Sequence, residues 1–148
     1  MTFLHIATTV CLGLLTGTEF AVSAFVNPIL WQLEAPTQAR VIQRFARNLG
    51  GVMPFWYVLS LLLLVVSSIL ERGEPSSALL FAGTGIWFAV IVLTLLFLVP
   101  INNRLARMEP EEWTTETRQE HRRWDTRHRF RIVALAAAWI CFQLAIYR

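Results

Sequence analysis

Apolar residues along this chain fall into four long blocks, separated by three short stretches that hold nearly all the charge. The first block runs from about Phe3 to Leu33 and is interrupted by Glu19 and Pro28; the second covers about Val52 to Leu70. The third covers about Ser77 to Val99 and stops at Pro100, and the fourth about Phe130 to Tyr147. About 20 apolar residues in a helix cross the roughly 30 Å hydrocarbon layer of a bilayer. Each block is therefore predicted to be a membrane-spanning helix. The predicted fold is all-α: one domain over residues 1–148, an integral membrane four-helix bundle. Its two linkers of one sign are 34–51 and 100–129, and its fourth helix carries a long extension outside the membrane.

The linkers have their own patterns. Thr37 can cap a helix in which Val41, Ile42, Phe45 and Leu49 recur at helical spacing opposite Arg40, Arg44 and Arg47. That predicts an amphipathic interfacial helix, ended by Gly50-Gly51. In the third linker Pro110 suits a first helical position, and Glu111 and Glu112 suit the positive end of the helix dipole. No breaker follows, so one helix is expected from Pro110 to the C-terminus, with Arg148 snorkelling at its end.

Composition sharpens this in one respect. All 13 basic residues are Arg, and they concentrate in the first and third linkers. The second linker, Glu71 to Ser76, sets one Arg against two Glu. The positive-inside bias predicts that linkers one and three are cytoplasmic and both termini outside. It also accounts for the net charge of +3 without a nucleic-acid partner. The expected surroundings are the lipid bilayer of a bacterial cytoplasmic membrane, with a homo-oligomer left open. The N-terminus lacks a basic n-region and an A-x-A-like site, so the first block is expected to remain as a helix. Cys11 and Cys141 lie inside apolar blocks without a CxxC; they read as packing residues, a bridge between them staying open.

Few residues carry chemistry. Glu19 falls near the middle of the first span, where a charge costs at least about 2.5–3.5 kcal/mol on insertion scales. Thr16, Ser23 and Asn27 are placed on its face, and Gly13 and Gly17 form a GxxxG pattern on another. Glu19 reads as a proton-handling or substrate-contacting carboxyl, or else as a structural hydrogen-bond partner. Asn102 and Asn103, just after Pro100, can cap exposed carbonyls or hold a ligand oxygen. His121, Trp124, Asp125 and His128 share one helical face, where Asp125 can reach both histidines. The histidines are roughly 10.5 Å apart, too far to close one metal site alone, so no metal is assigned. Trp31, Trp56, Tyr57, Trp113 and Trp139 are read as an interfacial belt.

These residues together resemble a family of small four-span membrane proteins that includes the fungal anthrone oxygenases. The resemblance rests on Gly17-Thr18-Glu19-Phe20 with Asn27-Pro28, on Pro54-Phe55-Trp56-Tyr57, and on Val99-Pro100-Ile101-Asn102-Asn103-Arg104-Leu105. It continues through Trp113 and His121-Arg122-Arg123-Trp124-Asp125 to His128-Arg129, and looks closest to bacterial members. It implies a cofactor-independent oxygenase, using no metal or flavin, on a small lipophilic aromatic of anthrone or quinol type. A base removes a substrate proton, and the carbanion reduces oxygen. Under that resemblance Glu19 or His128 is the base, and Asn103 or Asn102 holds the substrate oxygen. Asn27, His121, Trp124 and Asp125 complete the binding site. Two other classes compete: a proton-coupled multidrug-type exporter using Glu19, and a non-enzymatic membrane subunit docking a partner through its Arg-rich helix.

Overall fold

The computed structural model describes residues 1–109 and 112–147. Its elements are α1 (Thr2–Ala21), a π-helical turn (Val22–Val26), α2 (Asn27–Leu30), α3 (Ala35–Leu70), α4 (Ser77–Phe97), α5 (Val99–Arg107) and α6 (Thr115–Ile146). Four helices are long and apolar enough to cross a membrane: Thr2–Leu30, Ala35–Leu70, Ser77–Phe97 and Thr115–Ile146. α1 packs against α3 and α6, and α4 packs against the same two, so the long helices form a ring. The chain is an all-helical membrane bundle.

The core beyond Glu19, away from the arginine-rich linkers, is leucine and aromatic. Leu12, Leu15, Leu64, Leu80, Trp87 and Phe142 have no exposure there. α4 and α6 approach most closely at Gly83, where an added Cβ would lie 3.0 Å from the Ala138 carbonyl oxygen. Gly13 gives similar room to the Trp139 ring, whereas its expected companion Gly17 has nothing within 4 Å. Cys11 and Cys141 are both free thiols.

Several boundaries differ from expectation. α3 begins at Ala35, after an extended Glu34, because Pro36 suits a first turn that needs no N–H; Thr37 does not cap it. The helix then runs through Gly50, Gly51 and Pro54 to Leu70 without a break. Thirty-six residues make a rod of about 54 Å, so its first half continues beyond the bilayer instead of lying as a separate helix. A second buried cluster makes that continuation worthwhile: Ala39 and Ile42 pack with Leu30, Leu105, Met108 and Trp113. Trp113 Nε1 donates to Gln38 Oε1 at 3.1 Å, locking the third linker onto α3.

α4 ends at Leu98, and α5 follows with Pro100 in its first turn. α6 starts at Thr115, not Pro110. Thr114 is extended and its hydroxyl accepts from the Thr117 N–H, a side-chain cap that fixes the start. Pro110, Glu111 and Arg148, on which three expectations rested, lie outside the described residues.

Candidate functional site

Glu19 is 4 % exposed and both its oxygens are occupied. The Tyr57 hydroxyl donates to Oε1 at 2.7 Å, and Arg131 Nη2 donates to Oε2 at 2.6 Å. The Arg131 guanidinium also lies over the Tyr57 ring, 5.6 Å from its centre. A carboxylate in a low-dielectric interior needs a partner of this kind, and here α3 and α6 each supply one.

His128, with no exposure, sits behind this pair. Arg131 Nη2 donates to His128 Nδ1 at 2.8 Å, while His128 Nε2–H donates to the Glu19 backbone carbonyl at 3.2 Å. The arrangement fixes one neutral tautomer, protonated on Nε2. His128 Nδ1 is 3.4 Å from Glu19 Oε2.

The π turn begins three residues beyond Glu19. Pro28 has no N–H to give the Ala24 carbonyl, and the widened turn passes the proline without breaking the helix. It also delivers Asn27 to the interior, where Asn27 Nδ2 donates to Asp125 Oδ1 at 2.7 Å. Arg129 Nη2 takes the other Asp125 oxygen at 3.0 Å. Asp125 therefore bonds α2 and its own helix, and neither histidine.

Above Asp125 the shared face of α6 forms an aromatic stack. His121 lies on Trp124 at 5.7 Å, and Trp124 on His128 at 4.7 Å, with interplanar angles of 9° and 13°. Trp31 and Trp113 close on His121 at 5.2 and 6.2 Å. His121 belongs to the part of α6 that precedes the fourth apolar block. Burial among these rings lowers its pKa from 6.5 to about 4, against the opposing pull of Asp125.

Glu19, Tyr57, Arg131, Trp124 and His121 open onto one cavity of about 330 Å³, whose remaining wall is mostly aliphatic. Its size suits a small organic ligand. Residues of its wall hold buried polar atoms without a hydrogen-bond partner among the described residues: Thr94 Oγ1, Trp124 Nε1, Arg131 Nε and both ring nitrogens of His121. A buried unsatisfied donor costs about 1–3 kcal/mol; others lie away from the cavity, at Thr16, Gln38, Ser67, Glu120 and Trp139.

Of the residues singled out from sequence, Glu19, Asn27, Asn102, Asn103, His121 and Trp124 all line this cavity. Asp125 and His128 stand behind its wall, bonded to lining residues. The sequence reading missed Tyr57 and Arg131. Tyr57 reads as a belt residue but is buried in the bundle. Arg131 reads as part of the basic linker, although its position between Phe130 and Ile132 marks it as a membrane-level cation with Glu19 as its natural counter-ion. Trp113, also assigned to the belt, is buried against Gln38. Among the described residues no group of three His, Cys, Asp or Glu side chains is placed to hold a metal.

The sequence profile of the anthrone oxygenase family matches residues 40–141. No curated protein and no solved structure gives a significant match. The match covers more than half of the chain and spans α3 to α6, including Tyr57, Asn102, Asn103, His121, His128 and Arg131. The chain belongs to the anthrone oxygenase family.

Proposed function

We propose that this member of the anthrone oxygenase family is a membrane oxygenase acting on a lipophilic aromatic of anthrone or quinol type, without metal or flavin. The supporting observation is the cavity itself: a largely apolar chamber beside a buried carboxylate, with unpartnered polar atoms in the residues of its wall. An enolisable aromatic with ring oxygens fits both the chamber and the donors.

The chemistry runs in balance. Glu19 takes the acidic C–H proton of the substrate as general base, its carboxylate becoming a carboxylic acid. The carbanion passes one electron to molecular oxygen, the resulting pair recombines at carbon to a peroxide anion, and this takes the proton back from Glu19 to give a hydroperoxide and restore the carboxylate. Loss of water from that hydroperoxide leaves the new carbonyl, so one oxygen atom enters the product and the other leaves as water. Asn102 or Asn103 holds the existing substrate oxygen while its enolate character grows. Trp124 and His121 form a flat wall for the ring system, and the Asn27–Asp125 bond keeps that wall against α2. His128 acts as a positioning residue: it fixes the Glu19 backbone and the Arg131 guanidinium without facing the substrate.

We place the arginine-rich end in the cytoplasm on the positive-inside bias. An exporter that binds cations at Glu19 fits less well, because Arg131 already neutralises that carboxylate.

The test is oxygen uptake by the purified protein with a simple anthrone, comparing wild type with Glu19→Gln. Uptake that disappears in the variant while the protein stays monodisperse supports the reading. Wild-type protein that consumes no oxygen with anthrones or quinols overturns it.

A further inference from the structure

An ion-paired carboxylate is a poor base unless something compensates for the proton it gains, and the same pair of residues offers the answer. We propose that Arg131 is the anion-holding residue of the site: when Glu19 is protonated, Arg131 exchanges its carboxylate partner for the ionised oxygen of the bound aromatic. This rests on the oxygenase reading for the identity of the ligand, but not for its own test.

The geometry favours the exchange. Arg131 bonds Glu19 and His128 through one terminal nitrogen, Nη2. Its Nε–H is buried and unpartnered, and the residue lines the cavity. A ligand reaches this donor as the guanidinium turns from Glu19 toward the cavity, which is the movement the exchange requires. Trp124 Nε1–H and Thr94 Oγ–H, also unpartnered, are further donors on the same cavity wall.

Charge counting points the same way. Before the exchange the charges that take part are Glu19 negative and Arg131 positive, with His128 neutral and Tyr57 a neutral donor to Glu19; buried Asp125, bonded to Asn27 and Arg129, is the same in both states. After the ligand's proton moves to Glu19, the charges are ligand negative and Arg131 positive. The net charge of Glu19, Arg131 and ligand together is zero in both states, so the proton moves without creating an isolated buried charge. The ligand class follows: aromatics with an ionisable ring oxygen, bound as phenolate or enolate.

A hydroxyanthraquinone reports this directly, because its phenolate absorbs at longer wavelength than its phenol. It is titrated with the full-length protein in detergent, with oxygen excluded. In the wild type the proton moves within the site, so a long-wavelength fraction appears that stays constant with pH around neutrality. Glu19→Gln leaves Arg131 without a counter-ion and the proton leaves to water. The fraction then rises with pH, with a midpoint at least one unit below that of the free probe. Arg131→Lys keeps a long-wavelength fraction, whereas Arg131→Gln shows none below the free probe's own midpoint. Should Arg131→Gln fail to fold, the double variant Glu19→Gln with Arg131→Gln removes both charges together and is expected to behave as Arg131→Gln does. A long-wavelength band that survives loss of Arg131, or a Glu19→Gln protein that binds only the phenol, overturns the proposal. Oxygen uptake lost with the band retained defeats the proposed function alone; uptake retained without an Arg131-dependent band defeats this inference alone.

Discussion

The two halves of the bundle are built on opposite rules. In the half remote from the arginine-rich linkers, Leu12, Leu15, Leu64, Leu80 and Phe142 have no exposure and belong to one packed cluster. Several polar side chains there pair between helices, Thr9 with Gln143, Cys11 with Ser60, Ser68 with Thr84, and His5 with Glu71, although Ser67 Oγ and Trp139 Nε1 are buried without a partner among the described residues. In the half that carries Glu19, the helices stand off from a cavity, and several residues of its wall hold buried polar atoms without partners among the described residues. Lipid offers no hydrophobic drive for helices to associate, so a membrane bundle is held by close packing and interhelical hydrogen bonds. The remote half supplies both. The cavity half can therefore remain under-packed and under-bonded, which is what a site that must admit a ligand requires.

Experiments that set the halves against each other sharpen this division. The largest expected effect is on turnover: Glu19→Gln is predicted to lower oxygen consumption per folded molecule by about 10²–10⁴-fold, the usual contribution of a general base, and also to cost stability by leaving Arg131 unpaired. Phe142→Ala reverses the pattern, costing about 3–5 kcal/mol through the cavity it opens, read as a lower midpoint in a detergent thermal shift. Its folded fraction is expected to keep wild-type activity per molecule; equal losses of activity and stability would dissolve the distinction.

Acid is next in size. His121 is neutral when folded, with a pKa near 4 against 6.5 when unfolded, so the unfolded chain binds more protons between those values. Stability is full above about pH 6.5 and declines as pH falls toward 4, by on the order of 3 kcal/mol at most. Thermal midpoints measured across that window are expected to slope less steeply in His121→Phe; an unchanged slope would remove His121 as a cause. The smallest effects come from the glycines. Gly83→Ala pushes a methyl to 3.0 Å from a backbone oxygen and is predicted to destabilise by about 1–3 kcal/mol. Gly50→Ala meets nothing within 4 Å and is predicted to be neutral or stabilising by up to ~1 kcal/mol.

Much of the architecture is legible in the sequence because hydropathy over 20 residues is a strong signal, and α4 and the ends of α3 and α6 fall close to where the apolar blocks end. Glu19 is legible for the same reason, as a charge where none belongs. Tyr57 and Arg131 are hidden by context. A tyrosine three residues after Pro54 and an arginine at the start of a span each have an ordinary explanation at the membrane interface. Only their convergence on Glu19 from two other helices reveals the role. Gly50-Gly51 misleads for a related reason: glycine ends helices whose next turn gains nothing, but here the next turn begins a span and the preceding one carries Ile42 into a buried cluster.

The π turn has a consequence for how this chain tolerates length changes. In a uniform α-helix, eight residues at 3.6 per turn would leave Asn27 roughly 80° around the axis from Glu19. The slower rotation through Val22–Val26 takes up part of that angle and lets both side chains face inward. The turn thus acts as one residue of slack wound into the first span. Deleting one residue between Val22 and Val26 should tighten it to ordinary helix and keep Asn27 about 20° from the face of Glu19, whereas deleting two should rotate it by about 120°, away from Asp125, with the apolar character of the span intact. An insertion or deletion that a hydropathy plot could not detect would then separate the half of the molecule that holds together from the half that works.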